Sequence, residues 1–442
     1  MSVAIAREGS QRWLALGFIA VAQLMIALDA TIVSIALPSA QAALGAANAN
    51  RQWVITAYTL AFGGLLLLGG RIGDFIGRKR AFLIGLAGFA LASMIGGAAP
   101  NFAVLVGARA LQGAFAALLA PAALSLLAVS FTEARERATA FAVYGSIAGS
   151  GAAIGFLLGG VLTQYLSWRW CLYVNVPIAV AAAAGILAIH RDESRRAGGA
   201  AADFDIPGVL LVTAGMAALV YGCAGSPPFL AVSAVLLALF VLREARTGKP
   251  LLPLRIVLDR NRGGAYATVA LTIAGMFGAF LFLTYYFQVT LRYTPVEAGL
   301  AFLPLVVSQQ AGSWLIASRL MPVVSPRFLL VPGALIAGLG MLFLVQVPLL
   351  AEVLLGVGVS CVMVPAFSTA TQGVDPRQAG VASATANASS QVGGSVGAAL
   401  LNSVVTNSGF AAASASGAAI LALAAVTSGV LIRATTDVDS RD

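Results

Sequence analysis

Two opposite charges stand in stretches otherwise apolar. Asp29 lies in "MIALDATIVSIALP" and Arg109 in "VLVGARALQGAFAALLAP". A lone charge at the centre of a membrane-spanning helix costs roughly 2.5–3.5 kcal/mol to insert, so such residues mark function more often than chance. Arg109 keeps its proton at any ordinary pH. Asp29 can exchange one. An apolar surrounding favours its neutral acid and a nearby guanidinium favours its carboxylate, so a change in their spacing would load or release a proton. The alternative is a static ion pair. Their depths are compatible with either. Asp29 stands nine residues before Pro38, and Arg109 about six after the start of its own run. At 1.5 Å per residue both lie roughly 9–14 Å from the same side of the bilayer.

Other residues form a looser set. Gln112 is one helical turn beyond Arg109. Tyr285, Tyr286, Gln288, Gln309, Gln310, Trp314, Asn387 and Gln391 place aromatic and amide groups deep in the second half, where no acid is central. Around Asp29 they would suit a bulky apolar or cationic solute. Helix-to-helix hydrogen bonding is the competing account of their presence. Glu352 reads as an interfacial residue, Glu297 as a carboxylate favoured by a helix N-terminus, and His190 as a solvated end residue. Cys171, Cys223 and Cys361 have neither metal nor redox spacing. No nucleophile–base pair, metal cluster or phosphate-binding glycine loop is visible, so neither an enzyme nor an ATP-driven pump is expected. The proton is the expected coupling ion, with no cofactor.

The elements that must hold these groups follow from composition. The chain of 442 residues is 60% hydrophobic and 10% charged, against about 25% charged in soluble domains. That predicts an integral membrane protein and leaves the bilayer, not nucleic acid, to explain a net charge of +9. Runs long enough to cross about 30 Å of hydrocarbon as helices lie near 13–37, 52–70, 81–99, 103–129, 138–162, 172–190, 206–223, 228–243, 264–290, 297–318, 328–346, 348–370, 378–405 and 411–432. Numbered from an inside N-terminus, these fourteen spans leave 22 of the 26 basic residues on the inside. A miscount of one span would invert every later loop, so the bias supports both the count and cytoplasmic termini. The longest inside loops, 190–205 and 243–262, divide the chain into 1–190, 191–262 and 263–442: six helices, an inserted pair with its linkers, and six helices. Two six-helix bundles are the layout of an alternating-access transporter.

One inside loop exceeds an anchor. "GGRIGDFIGRKR" (69–80) sets Asp74 among four bases and four glycines. It resembles the loop motif of the major facilitator superfamily, with Gly70, Asp74, Gly77, Arg78 and Lys79 matching and Phe75 replacing the usual base. The resemblance implies a cytoplasmic latch that differs between transport states. "LDATIVSIALP" (28–38), "RALQGAFAA" (109–117), "WRWCLYVNVPIA" (168–179), "YYFQVTLRYTPVEAGLAFLP" (285–304) and "GVASATANASSQVGGSVGAAL" (380–400) are similar to signatures of its fourteen-helix drug:proton antiporter branch. "GSGAAIGFLLGG" (149–160) matches that branch's antiporter motif at Gly151, Gly155, Gly159 and Gly160, with Phe156 in place of proline. Glycines four apart also suit close helix packing alone.

These readings imply an all-α protein of a bacterial inner membrane, monomeric, exporting amphipathic or cationic compounds against protons. A transporter of one dedicated metabolite and a non-transporting membrane sensor or scaffold are the alternatives.

Overall fold

The computed structural model describes all residues except 1, 49, 132, 190–204, 225, 249–251, 253, 322, 373, 375–378 and 434–442. Every regular element among the described residues is helical. The order is α1 (Ser2–Leu44), α2 (Trp53–Ile76), α3 (Arg78–Gly97), α4 (Phe102–Ser130), α5 (Ala134–Tyr165), α6 (Trp170–Tyr173), α7 (Asn175–Ile189), α8 (Ile206–Cys223), α9 (Pro228–Arg246), α10 (Leu254–Val257), α11 (Arg260–Tyr285), α12 (Pro295–Ala301), α13 (Leu303–Leu315), α14 (Pro326–Phe343), α15 (Pro348–Thr371) and α16 (Ala379–Leu431). Two π-helical turns, Tyr286–Thr290 and Ile316–Leu320, extend α11 and α13. Helix starts carry recognisable caps. Asn101, Asp205 and Asp259 accept the amides of Val104, Gly208 and Arg262 at 3.0, 3.1 and 3.0 Å, which satisfies donors that the helix cannot.

Among the described residues, thirteen helical stretches are long and apolar enough to cross a membrane, and the last is broken within its length. Gly409 interrupts α16 with φ 80° and ψ 177°, a conformation that glycine adopts without a Cβ clash. The segments before and after it both lie on α11. A Cβ at Gly397 would lie 2.2 Å from the Ala274 carbonyl, and one at Gly275 would lie 2.7 Å from Leu421. Contacts of 397 and 421 with neighbouring residues of one helix require the chain to turn back, so fourteen spans agree with the sequence count. The tenth predicted span is jointed instead of continuous: Pro295–Ala301, Phe302, then Leu303 onward.

The chain forms two compact units. One comprises 1–46, 65–204 and 294–299; the other comprises 47–64, 205–293 and 300–442. In the first, α1 packs on α5, α7 and α4, and α3 on α4 and α7. The α1–α5 contact explains the glycine ladder. Cβ atoms at Gly151, Gly155 and Gly159 would lie 2.7 Å from Ala27 Cβ, 2.0 Å from Thr31 Oγ1 and 3.0 Å from the Ile32 carbonyl. One at Gly160 would lie 2.6 Å from the Pro295 carbonyl. Backbones this close admit no side chain, which is the packing role of small residues in lipid. Phe156, at the proline position of the motif, is fully buried. In the second unit α11 packs on α16, α15 and α14, and the inserted α8 packs on α9 and α16.

Candidate functional site

Asp29 and Arg109 meet. Arg109 Nη1 donates to Asp29 Oδ2 at 2.5 Å, and the two side chains are 1% and 0% exposed. Three further side chains complete the cluster. Gln112 lies on the face of α4 that carries Arg109, as i,i+3 spacing requires. Its Oε1 accepts from Arg109 Nη1 at 2.9 Å, while Nε2 donates to Asp29 Oδ1 at 3.1 Å and to Ser93 Oγ at 2.7 Å. Asn175 Nδ2 donates to the same Asp29 oxygen at 2.8 Å and reaches Ser93 Oγ at 3.4 Å. Ser93 in turn donates to the Phe89 carbonyl at 2.8 Å. Three donors therefore converge on one carboxyl group from α4 and α7, which suits an acceptor-only carboxylate. Its only charged partner in this cluster is Arg109.

Ser93 and Asn175 were not among the sequence candidates. Asn175 stands inside the "WRWCLYVNVPIA" signature, and the structure supplies its purpose. Arg169 Nη1 donates to the carbonyls of Gly97 and Ala99 at 2.7 and 2.8 Å, and its guanidinium covers Trp168 at 4.6 Å. The turn before α6 is thereby tied to the end of α3, which sets where α7 begins and where Asn175 points. Asn175 Oδ1 is buried and makes no hydrogen bond.

Gln112 is fully occupied within the cluster, and neither it nor Asp29 has exposed surface in this state. The other candidates are distributed over the second unit. Tyr285 lies under the guanidinium of Arg51, 3.9 Å from its ring centre. Arg51 Nε in turn donates to Asn402 Oδ1 at 2.9 Å, and Asn402 Nδ2 to Gln52 Oε1 at 2.9 Å. This buried polar group was not foreseen from the sequence either. Tyr286 stacks on Phe282 at 5.6 Å. Asn387 donates back to the Ser383 carbonyl of its own helix at 3.0 Å. Gln391 packs against the backbone opening at Gly63, where a Cβ would lie 2.8 Å from its own. Gln288, Gln309 and Gln310 are half-buried, and the Gln309 carbonyl accepts from Ser360 at 2.7 Å. Trp314 is 67% exposed.

In the 69–80 loop, Gly77 separates α2 from α3 at φ 94° and ψ 138°, outside the regions open to other residues. A Cβ at Gly70 would lie 3.7 Å from Pro121 Cβ, an ordinary van der Waals contact. Arg78 is exposed and Lys79 half-buried, while the side chain of Asp74 lies outside the described residues, as does His190. Glu297 accepts from the Thr294 amide at 2.8 Å, a helix-start arrangement consistent with its reading as a cap. Glu352 departs from expectation. It is 1% exposed instead of interfacial, because the face of α15 that carries it turns toward α13 rather than outward.

A family model described as Major Facilitator Superfamily matches residues 19–398. The chain is 50% identical over 416 residues to the puromycin resistance protein pur8 of Streptomyces alboniger, covering 90% of this chain and 82% of that protein. It is 39% identical to the cephamycin export protein CmcT of Amycolatopsis lactamdurans, covering 88% and 84%. It is 33% identical to the tetracenomycin C resistance and export protein of Streptomyces glaucescens, covering 88% and 75%. In fold it is similar to the crystal structure of the POT family transporter PepTSo, with a TM-score of 0.71 at 15% identity over 94% of this chain and 97% of that one. A multi-pass helical chain with this motif loop, this ladder of glycines and these relatives belongs to the major facilitator superfamily.

Proposed function

We propose that the protein is a proton-driven exporter of amphipathic or cationic small molecules, antibiotics among them, working by alternating access in the inner membrane of a bacterium. Relatives named for resistance to puromycin, cephamycin export and tetracenomycin C export support the substrate class. The observation that carries the coupling is the Asp29 cluster. It sets a buried carboxyl group against a fixed cation, and its members come from α1, α3, α4 and α7. A relative movement of these helices would lengthen the 2.5 Å pair. Asp29 is the proton carrier, Arg109 its counter-charge, and Gln112, Asn175 and Ser93 position the carboxyl. Aromatic and amide groups of the second unit, Tyr286, Gln288, Gln309, Gln310, Trp314 and Gln391, contact substrate. Gly70, Asp74, Gly77, Arg78 and Lys79 form the cytoplasmic latch, both termini face the cytoplasm, and the unit of transport is a monomer.

A second reading, export of one dedicated compound, is favoured by relatives that are each named for a single product. The test is flux in proteoliposomes with an imposed pH gradient, using puromycin and a panel of unrelated lipophilic cations. Gradient-dependent flux of several members supports multidrug export. Flux of one alone selects the dedicated reading, and flux indifferent to the gradient in both directions removes the proton.

A further inference from the structure

Asp29 sits among donors. Glu352 has none. Glu352 is the fifth residue of α15, only 1% exposed, and both of its carboxyl oxygens are buried without a hydrogen-bond partner. The group it meets electrostatically is the backbone of Leu305 in the first turn of α13, short of hydrogen-bond geometry. Leu305, Phe302, Ala351 and Leu355, which belong to the same region of α13 and α15, are themselves buried.

Among the described residues, the helices packed on α15 bring no charge near Glu352. They are α11, α13, α14, α16 and the turn Ile316–Leu320. α13 and α16 contain no charged residue. Arg327 is the second residue of α14, which runs antiparallel to α15, since Gly340 meets Ala351 and Gly333 meets Cys361. Arg319 follows α13, which runs parallel to α15, since Gly356 meets Leu305 and Gly312 meets Ser360. Both arginines therefore stand near the opposite end of α15, roughly 20 Å of helix rise away. Arg260 and Arg262 begin α11 at that same end, where Tyr266 donates to the Ala370 carbonyl. Of the remaining titratable groups, Tyr285 is engaged by Arg51, and Cys361 is nine residues along α15.

A carboxylate in such a place, with no counter-charge beside it, would forfeit its hydration with little return. A neutral acid with no hydrogen bond adds nothing to the packing that a leucine would not. Buried ionisable groups within membrane helices ordinarily mark ion pathways. The position also prepares for release. The first turns of α13 and α15 present unpaired amides and the positive ends of two helix dipoles, so water entering between these helices would find a carboxylate favoured.

We propose that Glu352 is a second proton-binding site, neutral while α13 and α15 are closed over it and ionised when they part, so that the second unit moves a proton of its own. The proposal rests on proton-driven transport, but its first test does not. Infrared difference spectroscopy of the purified protein at neutral pH reads the C=O band of a protonated carboxyl directly. The band is expected in the parent and in Asp29→Asn, absent in Glu352→Gln and shifted in Glu352→Asp, which serves should the glutamine variant not fold. A band unchanged in both Glu352 variants overturns the assignment whatever drives transport. The second test counts protons per substrate in proteoliposomes. A lower ratio in Glu352→Gln, with gradient-dependent flux retained, is the expected result. An unchanged ratio overturns the proposal by showing that this proton never moves, and parent flux indifferent to the gradient refers the failure to the coupling reading instead.

Discussion

Removing the charge of Asp29 should cost more than losing one ion pair. In Asp29→Asn the Arg109 guanidinium stays buried with Gln112 Oε1, at 2.9 Å, as its remaining acceptor in the cluster. The new amide must also turn its N–H groups toward Arg109 or toward Gln112 Nε2 and Asn175 Nδ2, which now stand 3.1 and 2.8 Å from the carboxyl. Either choice sets donor against donor. Breaking one side of a buried pair costs about 3–5 kcal/mol. Arg109→Gln should cost a similar amount. The double variant leaves no charge in this cluster. Its loss should be about that of one single variant, leaving a coupling energy on the order of 3 kcal/mol. Denaturant unfolding of purified protein in detergent, followed by tryptophan fluorescence, measures all three. Single losses that add to within about 0.5 kcal/mol would refute the reasoning, since independent sites behave that way. Flux then separates the roles. A stable double variant that no longer answers a pH gradient leaves Asp29 as the carrier, whereas one that still does reduces the pair to structure.

Gly155→Ala should destabilise by about 1–3 kcal/mol, read in the same unfolding assay, because its methyl would meet Thr31 Oγ1 and, at 2.9 Å, the Leu28 carbonyl. Gly77→Ala should cost about 1–3 kcal/mol through its φ of 94° and be seen as reduced yield of folded protein. Asp74→Asn should leave folded yield unchanged and slow flux. Asp205 caps α8 and pairs with Arg243 Nε at 2.5 Å. Burial pushes its carboxyl up, but Arg243 and the Gly208 amide outweigh this and hold it below the ordinary aspartate value. Asp259 is likewise lowered, by the Arg262 amide and side chain. A depressed acid stabilises the fold above its unfolded-state pKa, so their contribution should be flat at neutral pH and lost only below about pH 4. Asp205→Asn, which can still cap, should lose less than Asp205→Ala, by about 1 kcal/mol.

Much of the fold was legible because its signals are one-dimensional. Run length gives the spans, and alternation of basic loops gives their number. The Asp29–Arg109 contact followed from counting rise along two helices to a common depth. What depth cannot give is rotation about the helix axis. Whether Ser93, Asn175, Glu352 and Trp314 look inward or outward depends on how neighbouring helices turn, and a nearly all-apolar helix shows no polar face from which to judge it. Hence two ligands of the Asp29 cluster were overlooked and Glu352 was set at the interface. The Arg51–Asn402 contact was invisible for another reason: its partners are separated by 351 positions and share no motif. The glycine ladder was legible as a spacing, and the Thr31 and Leu28 contacts decide that it packs α5 on α1.

The turn at Gly409 bears on how the protein is made. The 53 residues of α16 contain no charged side chain, and as one straight helix they would reach about 80 Å, well over twice the hydrocarbon thickness. Nothing polar enough to require separate translocation lies between its two arms. The nearest positive charges, Arg377 before them and Arg433 after, flank both ends of the segment. During synthesis the two arms can therefore enter the bilayer together as a hairpin, with both basic ends retained on one side. A single left-handed glycine, more than any loop, then decides that this segment leaves the bilayer on the side where it entered.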